Sequence, residues 1–124
     1  MDSGALRVTL RLLEPQDADV IAGWGEDPQF CREADWSTTM ASADRRRFQQ
    51  SLIEAPPPEL IRWGAVVESV LVGYVDLQGA EPGRRELGFV IGERDRWGSG
   101  LGGLAAAAGL DHGFGRLGLR HVWA

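Results

Sequence analysis

One stretch constrains the fold more than any other: Glu86-Leu-Gly-Phe-Val-Ile-Gly-Glu-Arg-Asp-Arg-Trp-Gly-Ser-Gly-Leu-Gly-Gly-Leu104, followed by four alanines, 105–108. It reads as a short apolar strand, a charged loop, and a glycine-rich turn that opens a helix. Glycines at a helix start let backbone N–H groups approach a ligand that no side chain could sit beside. Those N–H groups have no partner inside the helix, and the helix dipole is positive there, so the turn is an anion site. The expected occupant is a phosphate-bearing small molecule.

Composition narrows the choice. At 124 residues the chain is read as one domain, 1–124, long enough to bury its own core. No apolar run approaches the ~18 residues of a membrane span, and the N-terminus lacks a basic-then-apolar signal, so no membrane partner and a cytoplasmic location are expected. Cys31 is the only cysteine, which leaves no internal disulfide and no cysteine-based zinc cluster; a buried apolar role suits it best. A net charge of −5 argues against nucleic acid as a partner. All 13 basic residues are arginine. Without lysine there is neither a Walker A loop nor Schiff-base chemistry.

Along the chain, Leu6 to Leu13 alternates as a half-buried strand, Pro15 ends it, and Asp17 is read as the N-cap of a helix running to about Gly25. Asp27-Pro28 breaks the pattern, and residues 31–40 read as loop, with Trp36 an apolar packing residue. Ser42 to Glu54 reads as a second helix, with Phe48, Leu52 and Ile53 as its buried stripe and the arginine run 45–47 as a solvated face. Pro56-Pro57-Pro58 stops it. Leu60 to Val67 and Val70 to Leu77 form a hairpin about Glu68-Ser69, and Arg85 to Ile91 adds a further antiparallel strand. A helix from Gly100 to about Arg116 then leads to a strand from His121 to Ala124. The expected order is β-α-α-β-β-β-α-β. This is an α/β (α+β) fold whose mixed sheet is mostly antiparallel, with one right-handed parallel βαβ unit.

Gly98-x-Gly100-x-x-Gly103 matches the dinucleotide fingerprint literally, but its context does not. Residues 92–97 separate it from the strand, no acidic residue follows Asp111, and antiparallel strands precede it. A dinucleotide-binding protein is therefore the third-ranked reading. Each mid-helix glycine costs about 0.8–1 kcal/mol relative to alanine, so a helix carrying Gly102, Gly103, Gly109, Gly113 and Gly115 must be held by packing on the sheet. Ligand approach explains Gly102 and Gly103; tight helix–sheet packing or fraying explains the rest.

The string Glu86-Leu-Gly-Phe-Val-Ile-Gly followed by Trp97-Gly-Ser-Gly-Leu-Gly102 resembles motif A of the GNAT N-acetyltransferases, in the branch of the ribosomal-protein N-terminal alanine acetyltransferases. Leu10 to Asp17, Val70 to Leu77 and Leu117 to Val122 resemble that branch's flanking strands, so nearly the whole chain is covered. The resemblance implies acetyl-CoA or a related acyl-CoA as co-substrate, and no metal. It implies that the backbone of Phe89, Val90 and Ile91 pairs with the pantetheine amides, and that Trp97, Gly98, Ser99, Gly100, Leu101, Gly102 and Gly103 frame the pyrophosphate. Trp97 stands where the family often has Gln or Arg, and the loop 92–97 looks about one residue longer than usual. Arg94 and Arg96 read as solvated.

Acetyl transfer needs a neutral amine, a polarised carbonyl and a proton for the departing thiolate. Glu86 is the candidate general base, acting directly or through water. Asp76 and Tyr74 share a strand face and are secondary candidates for acceptor binding or proton transfer; His112 and His121 read as structural. The resemblance implies further C-terminal elements after the fifth strand; the expectation is a domain that stops within that strand, with an open sheet edge through which a homodimer could pair. The expected activity is acetylation of a primary amine, on a small molecule or a peptide or protein N-terminus. The alternative is a catalytically incomplete acyl-CoA-binding or oligomerisation domain.

Overall fold

The computed structural model describes residues 7–123. A five-stranded sheet in the order β1-β2-β3-β4-β5 is built from β1 (Thr9–Leu12), β2 (Leu60–Val67), β3 (Val70–Gln78), β4 (Arg84–Ile91) and β5 (His121–Trp123). The first three pairings are antiparallel and β4–β5 is parallel, as the sequence pattern predicts. Helices α1 (Asp17–Trp24), α2 (Pro28–Ala34) and α3 (Ser42–Glu54) precede the hairpin, and α4 (Leu101–Asp111) makes the crossover. A π-helical turn, His112–Arg116, completes the predicted helix to Arg116. The expected start of the first strand at Leu6 and the end of the last at Ala124 lie outside the described residues. No helix of the described residues is long and apolar enough to cross a membrane.

Period-two alternation splits the apolar residues between two cores. On one sheet face Trp63, Ala65, Val75, Leu77, Leu87 and Ile91 pack under Leu101 and Ala105 of α4. On the other, Leu71 and Tyr74 pack under Ile21, Trp24, Phe30 and Cys31 of α1 and α2. The hairpin turn uses positive φ at Glu68 and Ser69, 50° and 69°, the handedness that matches strand twist.

Three expectations are corrected. The Asp27-Pro28 break begins a helix: the Asp27 side chain accepts from Gln29 N–H and proline takes the first helical position, so α2 occupies part of the expected loop and the order becomes β-α-α-α-β-β-β-α-β. Asp17 is not the cap but the first helical residue. Its carboxylate accepts the Glu14 N–H at 2.7 Å and meets the Arg11 guanidinium at 2.7 and 3.0 Å. On α3 the buried residues are Arg45 and Gln49, while Phe48 is 51% exposed and Leu52 and Ile53 are half-buried. Arg45 turns inward because it bonds Glu26 and the Met40 carbonyl and lies over Gly25, where a Cβ would stand 2.3 Å from its side chain. Arg46 and Arg47 are exposed as expected.

Candidate functional site

The edge of β4 is the first component. Among the described residues β5 reaches only Arg84, Arg85 and Glu86, so the rest of that edge has no strand beside it. Gly92 N–H donates to Val72 O, and residues that exchange both ladder bonds alternate along an antiparallel pair. Val90, Gly88 and Glu86 therefore direct their backbone groups at β3, while Leu87, Phe89 and Ile91 direct theirs at the open edge. The Trp97 indole N–H already donates to the Ile91 carbonyl at 2.8 Å. The Leu87 N–H is taken by the Trp123 carbonyl in the parallel ladder, so what remains for a ligand is the backbone of Phe89, the carbonyl of Leu87 and the N–H of Ile91. Val90 contributes its side chain to the site and keeps its backbone in the ladder.

The glycine turn is the second component. Gly98 and Gly100 sit at φ +80° and +87°, a region that glycine enters without the Cβ penalty, and Gly100 stands at the N-cap of α4 with no side-chain cap. Among the described residues no side chain or loop carbonyl accepts from the N–H groups of Gly98 to Gly103. Of this turn, Gly98, Leu101 and Gly102 line a cavity of about 260 Å³, with Phe89, Val90, Ile91, Arg96 and Trp97 also on its wall. Ser99 turns its hydroxyl back to the Arg96 carbonyl, and Gly103 has open space where a side chain would be. Gly102 has a packing reason too: a Cβ there would stand 2.6 Å from the Phe89 ring.

Arg96 was read as solvated, yet its Nε is buried without an acceptor and it lines this cavity. An orphaned cationic donor beside a row of free N–H groups fits a phosphate-bearing ligand. Its place directly before Trp97-Gly98 was the one signal in the sequence. Arg94 instead pairs with Asp27, tying the loop after β4 to the start of α2. Phe30, Glu33 and Ala34 also line the cavity, from α2; the sequence pattern gives no sign of them, because it shows a break at Asp27-Pro28 and a loop over 31–40 where the helix stands.

Glu86 stands on the sheet face that carries α1 to α3, exposed, opposite Gln78 on one side and Trp123 on the other. Among the described residues its carboxylate has no ion-pair partner, since Arg84 pairs with Glu81 and Arg85 donates to the Glu59 carbonyl. On the same face Asp76 is bound by the Arg62 guanidinium through two hydrogen bonds, 2.6 and 2.9 Å, so it is not a free base. Burial works against the Arg62 charge, but the bond to Asp76 and its field outweigh it and hold the guanidinium pKa above its ordinary value. The Tyr74 ring lies 3.9 Å under Arg62, and its hydroxyl accepts from the Trp36 indole at 3.3 Å. Burial raises the Tyr74 pKa, partly countered by Arg62, so the phenol is protonated at neutral pH. His112 packs edge-on against Trp63 and His121 against Trp123; neither lines the cavity. No group of three or more His, Cys, Asp or Glu among the described residues is placed to hold a metal ion.

A family profile described as an acetyltransferase (GNAT) domain matches residues 7–124. An uncharacterized N-acetyltransferase p20 of Bacillus licheniformis is 28% identical over 123 residues, covering 95% of this chain and 68% of that protein. A GNAT-family acetyltransferase from Bacillus anthracis superposes with a TM-score of 0.74 at 20% identity, over 94% of this chain and 68% of the other. An aminoglycoside acetyltransferase in complex with coenzyme A gives 0.72 at 18% identity, over 86% and 67%. None of these similarities singles out the ribosomal-protein branch.

Proposed function

From the premise that this chain belongs to the GNAT acetyltransferase family, we propose that it moves an acetyl group from acetyl-CoA to a primary amine. The supporting observation is the run of free N–H groups from Gly98 to Gly103 with the orphaned Arg96 Nε beside it. These suit the pyrophosphate of a coenzyme A, the ligand carried by one structural neighbour. The open edge at Phe89 and Ile91 suits the pantetheine amides, which would extend the sheet as an added strand. Glu86 lies four residues before Val90, about 13 Å along an extended strand. An extended arm held at the glycine turn would therefore carry its sulfur end towards Glu86.

In this scheme the amine nitrogen attacks the thioester carbonyl, the C–N bond forms, the C–S bond breaks, and coenzyme A leaves as a thiolate. Glu86 accepts the proton that the amine loses, and a proton returned from Glu86 or from solvent converts the thiolate to the free thiol. Free backbone donors on the β4 edge polarise the carbonyl.

Calorimetric titration with acetyl-CoA and with NAD tests the ligand; binding of NAD but not acetyl-CoA overturns the reading. Free-thiol release with a panel of amines tests the activity, and acetyl-CoA binding without turnover favours the alternative of a non-catalytic binding domain. Glu86→Gln is expected to lower kcat/KM about 100-fold while acetyl-CoA affinity holds. An unchanged kcat/KM removes Glu86 from the mechanism.

A further inference from the structure

Among the described residues the free edge of β4 is short and closed at both ends. At one end β5 takes the Leu87 N–H through the Trp123 carbonyl. At the other the Trp97 indole N–H donates to the Ile91 carbonyl at 2.8 Å. Between these stops lie the Leu87 carbonyl, both backbone groups of Phe89 and the Ile91 N–H, two acceptors and two donors. An arm of two amides brings the same complement. The Trp97 ring is fixed where it stands. It is half-buried, packs against the cores on both faces of the sheet, and lines the cavity beside Phe89 and Ile91. Its backbone N–H donates to the Arg94 carbonyl at 3.0 Å, so the loop holds it from behind. Packing alone would accept another large ring there; the bond to Ile91 is what an indole adds.

We infer that the Trp97 indole N–H sets the register in which a pantetheine arm pairs with β4, and so how far the thioester reaches towards Glu86. The inference rests on the acetyltransferase reading. Alternate residues face one edge of a strand, so equivalent bonding positions recur every two residues, about 7 Å apart. Freed of Trp97, the Ile91 carbonyl would offer the arm a second register, one step nearer the glycine turn. In that register the sulfur end stops about 7 Å short of its place in the first. An acyl group held there is bound but out of reach of an acceptor beside Glu86. Trp97 is therefore a positioning residue: it acts through the strand edge and takes no part in proton transfer.

Trp97→Phe removes the donor and keeps a ring between the two cores. The test reads kcat and KM for acetyl-CoA by thiol release, and acetyl-CoA affinity by calorimetry without an acceptor. Two registers of equal stability raise the affinity about twofold and lower kcat about twofold. A slipped register favoured by one hydrogen bond takes both changes to about fivefold. The expected result is acetyl-CoA bound about two- to fivefold tighter, with kcat and KM lowered by the same factor. A tryptophan that only supports the loop gives the opposite sign, weaker binding and a higher KM. Affinity unchanged or weaker, or kcat unchanged, overturns the inference alone. If Trp97→Phe does not fold, the benzothiophene analogue of tryptophan at this position keeps the bicyclic ring without the N–H and is read in the same way. A wild type that binds acetyl-CoA but acetylates no amine overturns the acetyltransferase reading, and this inference falls with it.

Discussion

At the scale of single residues, the consequential side chains are charged ones drawn inside. Arg11 and Asp17 join β1 to the start of α1, and Asp17 is only 6% exposed. The bond to Arg11 lowers the Asp17 pKa below its ordinary value of 3.8, against the opposing effect of burial. The unfolded chain therefore takes up this proton first as pH falls. The stabilisation is complete above the ordinary carboxylate range and is lost as pH drops below it towards the lowered value. Asp17→Asn should cost about 2 kcal/mol at neutral pH and flatten the acid limb of stability, measured by urea unfolding at pH 7 and pH 3. Equal losses at both pH values would show that Asp17 acts only by packing. Arg45 was misjudged for a general reason: three consecutive arginines look alike in sequence, and only the position of Gly25 and Glu26 draws one of them inward.

At the scale of elements, α4 carries the most glycine and depends most on the sheet. A Cβ on Gly109 would stand 2.6 Å from Val75 Cγ1 and 2.9 Å from Leu87 Cδ1, so its absence sets how closely the helix approaches. Gly109→Val should destabilise by about 1–3 kcal/mol through overpacking and lower Tm by about 5–10 °C in a thermal melt. A Tm at or above wild type would mean that the helix shifts freely on the sheet. The βα unit from β4 to α4 was legible in advance because its signals are local: an apolar run, a charged loop, paired glycines, a helix. The first half of the chain was less so. Helix α1 ends at Trp24 with Gly25 as its C-cap, and Asp27-Pro28 starts the next helix; an Asp-Pro pair reads equally as a break or as a cap, and the pattern alone does not say which role wins. The stripe on α3 failed for a related reason. Helical spacing puts Phe48, Leu52 and Ile53 on a stripe expected to be buried, while the groove beside Arg62 and Asp76 takes Gln49 instead.

At the scale of the whole molecule, Trp24 ties the site together. Its ring stacks on Tyr74 at 6.3 Å, meets Phe30 at 6.1 Å, and lies where a Cβ on Gly92 would be, 2.0 Å away. Helix α1, helix α2, strand β3 and the loop after β4 thus share one contact. Trp24→Ala should cost about 3–5 kcal/mol and, where the variant still folds, weaken acetyl-CoA binding, checked by chemical denaturation and calorimetry. Unchanged affinity in a folded variant would show that the loop is held without it.

The sequence alone determined the hairpin, the parallel unit and the glycine turn, because hydrophobic period and backbone-permissive residues act over a few neighbours. It also pointed to the acetyltransferase family, whose profile spans residues 7–124. Only the tertiary structure decided that Asp76 is spent on Arg62, that Arg96 lines the cavity with its Nε unpaired, that Val90 keeps its backbone in the ladder, and that a Cβ on Gly88 would meet open space. Each of those depends on which atoms from distant parts of the chain come within a few ångströms, and burial and pairing of polar groups are settled by such encounters rather than by local pattern.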